Sequence, residues 1–157
     1  MIGVDFKQAR NFFFDAPAVA KAVGAATRRV LSRFGAFVRT SAKDSIRKRR
    51  GASAPGEAPH SHTGLLRRFI FFAYDPAQKN VVIGPVRLRG MVGDAPAALE
   101  HGGRSTVIRT RFRRREGVNV RERRRQDVLV AQRPYMGPAF RKNLPALPAM
   151  WRDSVRP

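Results

Sequence analysis

From Val19 onward, apolar residues return at steps of three and four: Val19, Val23, Ala26, Val30, Phe34 and Phe37, with Ser41 continuing the row. That spacing marks one face of a helix. Lys21, Arg28, Arg39 and Lys43 occupy the other side. Asp15 offers an N-cap, and Pro17 falls in the first turn, where its missing N–H costs nothing. The run Arg47, Lys48, Arg49, Arg50 suits the negative end of a helix dipole, and Gly51 suits a C-terminal stop. The pattern therefore predicts a helix from about Asp15 to Arg50, roughly 50 Å long at 1.5 Å per residue. A domain of this size cannot cover such a helix, so part of it is expected to meet another subunit or to project. Upstream, Phe6, Phe12, Phe13 and Phe14 predict a short strand or turn docked on the core or on a neighbour.

The pattern then breaks. Residues 51–63, GASAPGEAPHSHT, have no periodicity and form a linker loop. His60 and His62 lie two apart in it, without a third ligand at any recognisable spacing, and are expected to be ordinary loop residues. Leu66, Phe69, Ile70, Phe71, Phe72 and Tyr74 are rich in strand formers. With DPAQKN as a turn and Val81, Val82, Ile83 beyond it, they predict a β-hairpin with strands near 65–74 and 80–86. The first strand is apolar on both faces, so one face should cover the helix and the other should be an interface. DAPAALEHGGR predicts a short helical turn opened by Asp94 and closed by Gly102 and Gly103. Glu100 and His101 have no nucleophile or second acid within reach by sequence, and a capped turn accounts for them.

Residues 104–130 have β-character but little apolar surface away from their ends. Val107 to Arg113 and Val118 to Arg125 read as two strands around Glu116–Gly117. Arg109, Arg111, Arg113, Arg114, Arg115, Arg121, Arg123, Arg124 and Arg125 crowd toward the tip. Such a stretch cannot be core, and it predicts a projecting basic β-arm about 35–40 Å long. A two-stranded arm is marginal alone, so an anionic surface or a neighbouring subunit should receive it. Beyond it, Arg133–Pro134 ends the return strand and Pro138 should open a helix carrying Phe140 and Leu144 on one face. Pro145 and Pro148 break that run before a last turn around Met150, Trp151 and Val155. Tyr135 and Met136 are expected to pack at the strand-to-helix corner. The fold class that follows is α+β: a long N-terminal helix on a small antiparallel sheet, an extended arginine-rich arm and a C-terminal helix. Val23, Val30, Phe34, Phe37, Ile70 and Val82 are its expected buried residues.

Composition narrows the function classes. A chain of 157 residues suits one domain, here taken as residues 1–157. Its formal net charge of +21 calls for an anionic partner: nucleic acid, membrane surface or acidic protein. It has no cysteine, hence neither disulfides nor thiolate metal sites. No apolar run reaches membrane-spanning length, and charges interrupt the N-terminal segment too early for a secretory signal, so no membrane partner and no cofactor is expected. No polar residues converge as an active site requires, which argues against an enzyme.

Four short motifs carry a family resemblance: Thr63, Gly64 and Leu66 after the Pro-Gly linker; Gly84 and Pro85 at a strand end; Glu100 and Gly102 in an acidic turn; and a closing box of Arg133, Pro134, Tyr135, Met136, Pro138 and Ala139. In this order, across roughly residues 16–145, they resemble the HK97 gp10-like family of tailed-bacteriophage neck and tail-completion proteins. The resemblance implies a structural protein of the virion neck, a ring joining the DNA-filled head to the tail after assembly in the host cytoplasm. Six copies are expected, with twelve as the alternative. Its neighbours would be head-completion or connector proteins and tail-terminator or tail proteins, with genomic DNA in the channel as a further candidate contact. Arg133, Pro134, Tyr135, Met136 and Pro138 would form the interface box. A tail-terminator ring or a basic nucleic-acid-binding module are the alternatives. The arginine-rich stretch exceeds what the family pattern requires. A conduit gains little from a strong brake on DNA, so acidic surfaces on adjacent rings are the expected partners of Arg111, Arg113, Arg121 and Arg123.

Overall fold

The computed structural model describes residues 15–86, 95–115 and 118–155. The expectations for Phe6 and Phe12–Phe14, for Asp94 as a cap and for the Glu116–Gly117 turn lie outside these residues. The described residues are α+β: helices toward both of their ends and two separate two-stranded antiparallel sheets. The hairpin forms one sheet and the arginine-rich ribbon the other.

Helix α1 spans Ala16–Ser45 and opens as its sequence directs, with the Asp15 carboxylate accepting the Ala18 N–H at 3.0 Å. It stops five residues short of the expected Arg50. Ile46 takes an extended conformation and turns inward to 1% exposure, so Arg47–Arg50 follow the helix rather than ending it. Core burial of Ile46 outweighs the gain from placing four mutually repelling cations on one last turn. The buried row is Ala26, Val30, Phe34, Val38 and Ala42, a step of four throughout. Such a ridge is inclined to the helix axis, and it leaves out Phe37, which is 42% exposed, and Val23, which is 43% exposed. Those two expected core residues lie on the surface left by the described elements.

After the loop, α2 (Leu65–Arg68) occupies what was expected to be strand, because Gly64 enters the left-handed region at φ 74° and starts a helical turn. Strands β1 (Ile70–Asp75) and β2 (Asn80–Pro85) then pair around a turn in which the Asp75 carboxylate accepts the Ala77 and Gln78 N–H groups. Their register sets Phe72 against Ile83 and Tyr74 against Val81, the pairs that are half-buried toward α1. Val82 pairs with Ala73 on the outer face and is 63% exposed, which corrects its expected burial. The hairpin approaches α1 closely at Gly35, where an added Cβ would lie 2.8 Å from Val81 Cγ2.

Helix α3 (Ala95–His101) leads into β3 (Gly103–Arg115), which pairs antiparallel with β4 (Val118–Val130). Helix α4 (Met136–Asn143) begins two residues before the expected Pro138, followed by a 3₁₀ turn at Leu144–Ala146 and α5 (Leu147–Trp151). One core joins Phe34, Val38, Ala42 and Ile46 to Ile70 of β1 and to Tyr135 and Ala139 of the box. Phe140 adds an edge-on contact with Phe34, with ring centroids 5.6 Å apart.

Candidate functional site

The closing box begins a helix that lacks a cap of its own. Tyr135 stands at the N-cap position and supplies no side-chain hydrogen bond to it. The first backbone N–H groups of a helix need acceptors, and Glu100, thirty-five residues upstream, provides them. Its Oε2 accepts Tyr135 N–H and Met136 N–H, each at 2.9 Å, and its Oε1 accepts Gly137 N–H at 2.7 Å. Gly137 makes room for this, since a Cβ there would meet Oε1 at 3.1 Å. Burial alone would push the Glu100 carboxyl up. The three backbone donors, helped by His101, outweigh burial and hold it below the usual carboxylate range.

Further bonds complete the clasp. Arg133 N–H donates to Leu99 O at 2.6 Å, while its guanidinium donates to Ser53 O at 2.9 Å and Ala131 O at 3.2 Å. Gly56 N–H donates to Gln132 O at 2.8 Å, so the 51–63 loop is stitched to the same strip of chain. Gly102, at φ 74°, turns α3 directly into β3. Both roots of the β3–β4 ribbon, Gly103 and Val130, thus emerge from the clasp, which orients the ribbon.

The box residues expected at an interface are in part covered within the single chain. Tyr135 is 1% exposed within the core, Arg133 holds the loop, Pro134 and Met136 are half-buried, and only Pro138 is exposed. Sequence reasoning missed the role of Glu100. The available signal was a helix start at Met136–Gly137 without a Ser, Thr, Asp or Asn before it, downstream of an unassigned acid.

The ribbon has two unlike faces, because directly paired residues of antiparallel strands share a face. One carries Arg109 paired with Arg124, Arg111 paired with Glu122, and Arg113. These residues, with Arg125, surround a basin of about 350 Å³. Its ion pair is the open Arg113–Glu122 contact at 3.7 Å. The other face carries Arg114, Arg121, Arg123 and Arg125 around Ile108 and Phe112, the latter 71% exposed. Arg115 is the last residue of β3. Every arginine from 109 to 114 and from 121 to 125 is exposed. Phe112 stands among arginines on this face.

His60 Nδ1 donates to the Gly51 carbonyl, 3.0 Å away, and among the described residues no three His, Cys, Asp or Glu side chains gather as metal ligands do. No helix among them is long and apolar enough to cross a membrane. In comparisons with known proteins, the chain matches no family model, no curated protein and no solved structure.

Proposed function

We propose that this chain is a structural protein of the tailed-phage neck, acting as a closed ring between the DNA-filled head and the tail. The observation that carries the reading is the convergence of the four motifs behind the resemblance. Glu100 holds the Tyr135–Gly137 start of the box, Gly102 lies against Gln132 just before it, and Leu66 packs against the core. Pro85 pairs with Ile70, which touches the same core. Residues from each of these segments, or paired with them, thus border one core.

Uncovered apolar surface supports assembly. Phe71 and Val82 are exposed on the outer face of the hairpin, and Val19, Val23 and Phe37 on α1. Arg39 and Lys43 lie over the Phe71 ring at 5.9 Å, giving that patch a cationic rim. Each subunit of a cyclic ring presents one patch to the next through a heterologous contact. Head-completion or connector proteins and tail-terminator or tail proteins would take the two open sides. The protein would be a component of the virion, without catalytic chemistry or a cofactor.

Electron micrographs of the purified protein, mixed with heads and tails from particles lacking it, test the proposal. Rings of six, or of twelve, and restored joining are the expected result. A chain that stays monomeric in those mixtures and restores no joining overturns it.

A further inference from the structure

We propose that the β3–β4 ribbon is a binding arm for double-stranded nucleic acid, gripping phosphates through the face that carries Arg109, Arg111, Arg113 and Arg124. The inference needs only the folded single chain and does not rest on the ring reading.

Charge density decides the partner. The stretch from Gly103 to Val130 holds ten arginines against three acidic residues. Thirteen paired residues span about 43 Å at 3.3 Å each, so one arginine falls roughly every 4 Å. Their placement is costly in isolation: Arg109 lies directly opposite Arg124, and like charges in that position destabilise a strand pair. On the basin face Glu122 is the counter-charge, and its contact with Arg113 is long and open to water. A receiving surface must therefore be at least as densely anionic as the ribbon is cationic. Duplex DNA offers one negative charge per ~1.7 Å of axis, held in place by covalent bonds. An acidic protein face would have to hold an equal ladder of mutually repelling carboxylates by its own folding energy.

Shape and continuity agree. A two-stranded ribbon is a form that the major groove, about 12 Å wide, admits. A second cationic run, Arg47–Arg50, is connected to the ribbon's roots through the 51–63 loop. Ser61 N–H binds the Arg47 carbonyl, and the loop between them is tied to Gln132 and Arg133 just beyond β4. All four of its side chains are exposed. The apolar residues of the opposite face, Ile108 and Phe112, argue for protein. They do not neutralise the basin face, which carries the density.

The test uses the full chain, a mixed-sequence DNA duplex of about 25 base pairs and poly-glutamate as the carboxylate probe, with affinities read by fluorescence anisotropy. Arg109, Arg111, Arg113 and Arg124 are replaced together by glutamine. A control replaces Lys21, Arg28, Lys142 and Arg152, exposed cations away from the ribbon. Far-ultraviolet circular dichroism confirms that both variants remain folded. Each phosphate contact contributes about 0.9 to the salt slope. Loss of four contacts should flatten log K against log salt by about 3 to 4. The wild-type advantage should then narrow on the order of 100-fold between about 50 and 200 mM salt. The control should keep the wild-type slope to within about one contact. The proposal is overturned if the ribbon variant binds duplex like wild type, or if the control loses as much. It is replaced by an acidic-protein partner if poly-glutamate binds as tightly as duplex through the same four arginines.

Discussion

Removing the Glu100 carboxylate should loosen the box helix and the ribbon's roots together. Three backbone N–H groups donate to it at 2.7–2.9 Å, two to Oε2 and one to Oε1. Hydrogen bonds to a charged group are worth about 1.5–3 kcal/mol each when net contributions are measured. Glu100 is only half-buried, and water can replace part of what is lost, so the low end applies and the bonds are not additive. Glu100→Ala should cost about 3 kcal/mol. Glu100→Gln should cost about 1.5 kcal/mol, because one amide oxygen can keep one or two of the donors while the NH₂ faces the remainder. The assay is urea unfolding, in which a shifted midpoint at unchanged slope isolates stability. The pH dependence supplies an independent check. Because folding lowers this carboxyl's pKa, its contribution is fully present above the ordinary carboxylate range. It is lost as pH falls through the lower, folded value. The gap between wild type and Glu100→Gln should therefore narrow as pH falls below the ordinary carboxylate range. A cost for Glu100→Ala below about 0.5 kcal/mol, or a gap that does not change with pH, would refute the clasp.

Phe34→Ala should cost about 3–5 kcal/mol, since the ring is 2% exposed, whereas Phe37→Ala should cost under about 1 kcal/mol. Equal losses in thermal unfolding would mean that the buried row is wrong. Gly35→Ala should lose about 1 kcal/mol net, because the overlap with Val81 and Phe72 exceeds the helix-propensity gain of ~1 kcal/mol. A more stable variant in the same assay would show that the hairpin sits farther from α1. Val82→Glu should leave the unfolding free energy within about 0.5 kcal/mol of wild type and abolish ring formation in micrographs. Intact rings would remove the outer face of the hairpin from the interface.

What was legible from sequence was what depends on near neighbours along the chain. The Asp15 cap, the DPAQKN turn and the Gly102–Gly103 stop each rest on interactions a few residues long, and each stands where the sequence put it. The α+β class follows from the same local rules. The tertiary structure alone decided which side of a pattern counts. VVI has an apolar residue at either parity, and only pairing with β1 turned Val81 and Ile83 inward and Val82 outward. On α1, Phe37 and Val38 were both available, and the elements laid on the helix took Val38. Ile46 ended the helix early because a core position was waiting for it beyond the last turn. Glu100 looked like a stray acid because its three partners lie thirty-five to thirty-seven residues away, a distance no periodicity spans. The arginines of 104–125 were visible at once as charge. Only the cross-strand register put Arg109 opposite Arg124 and gathered four of them on one face, because facing is a property of paired strands and not of either strand alone.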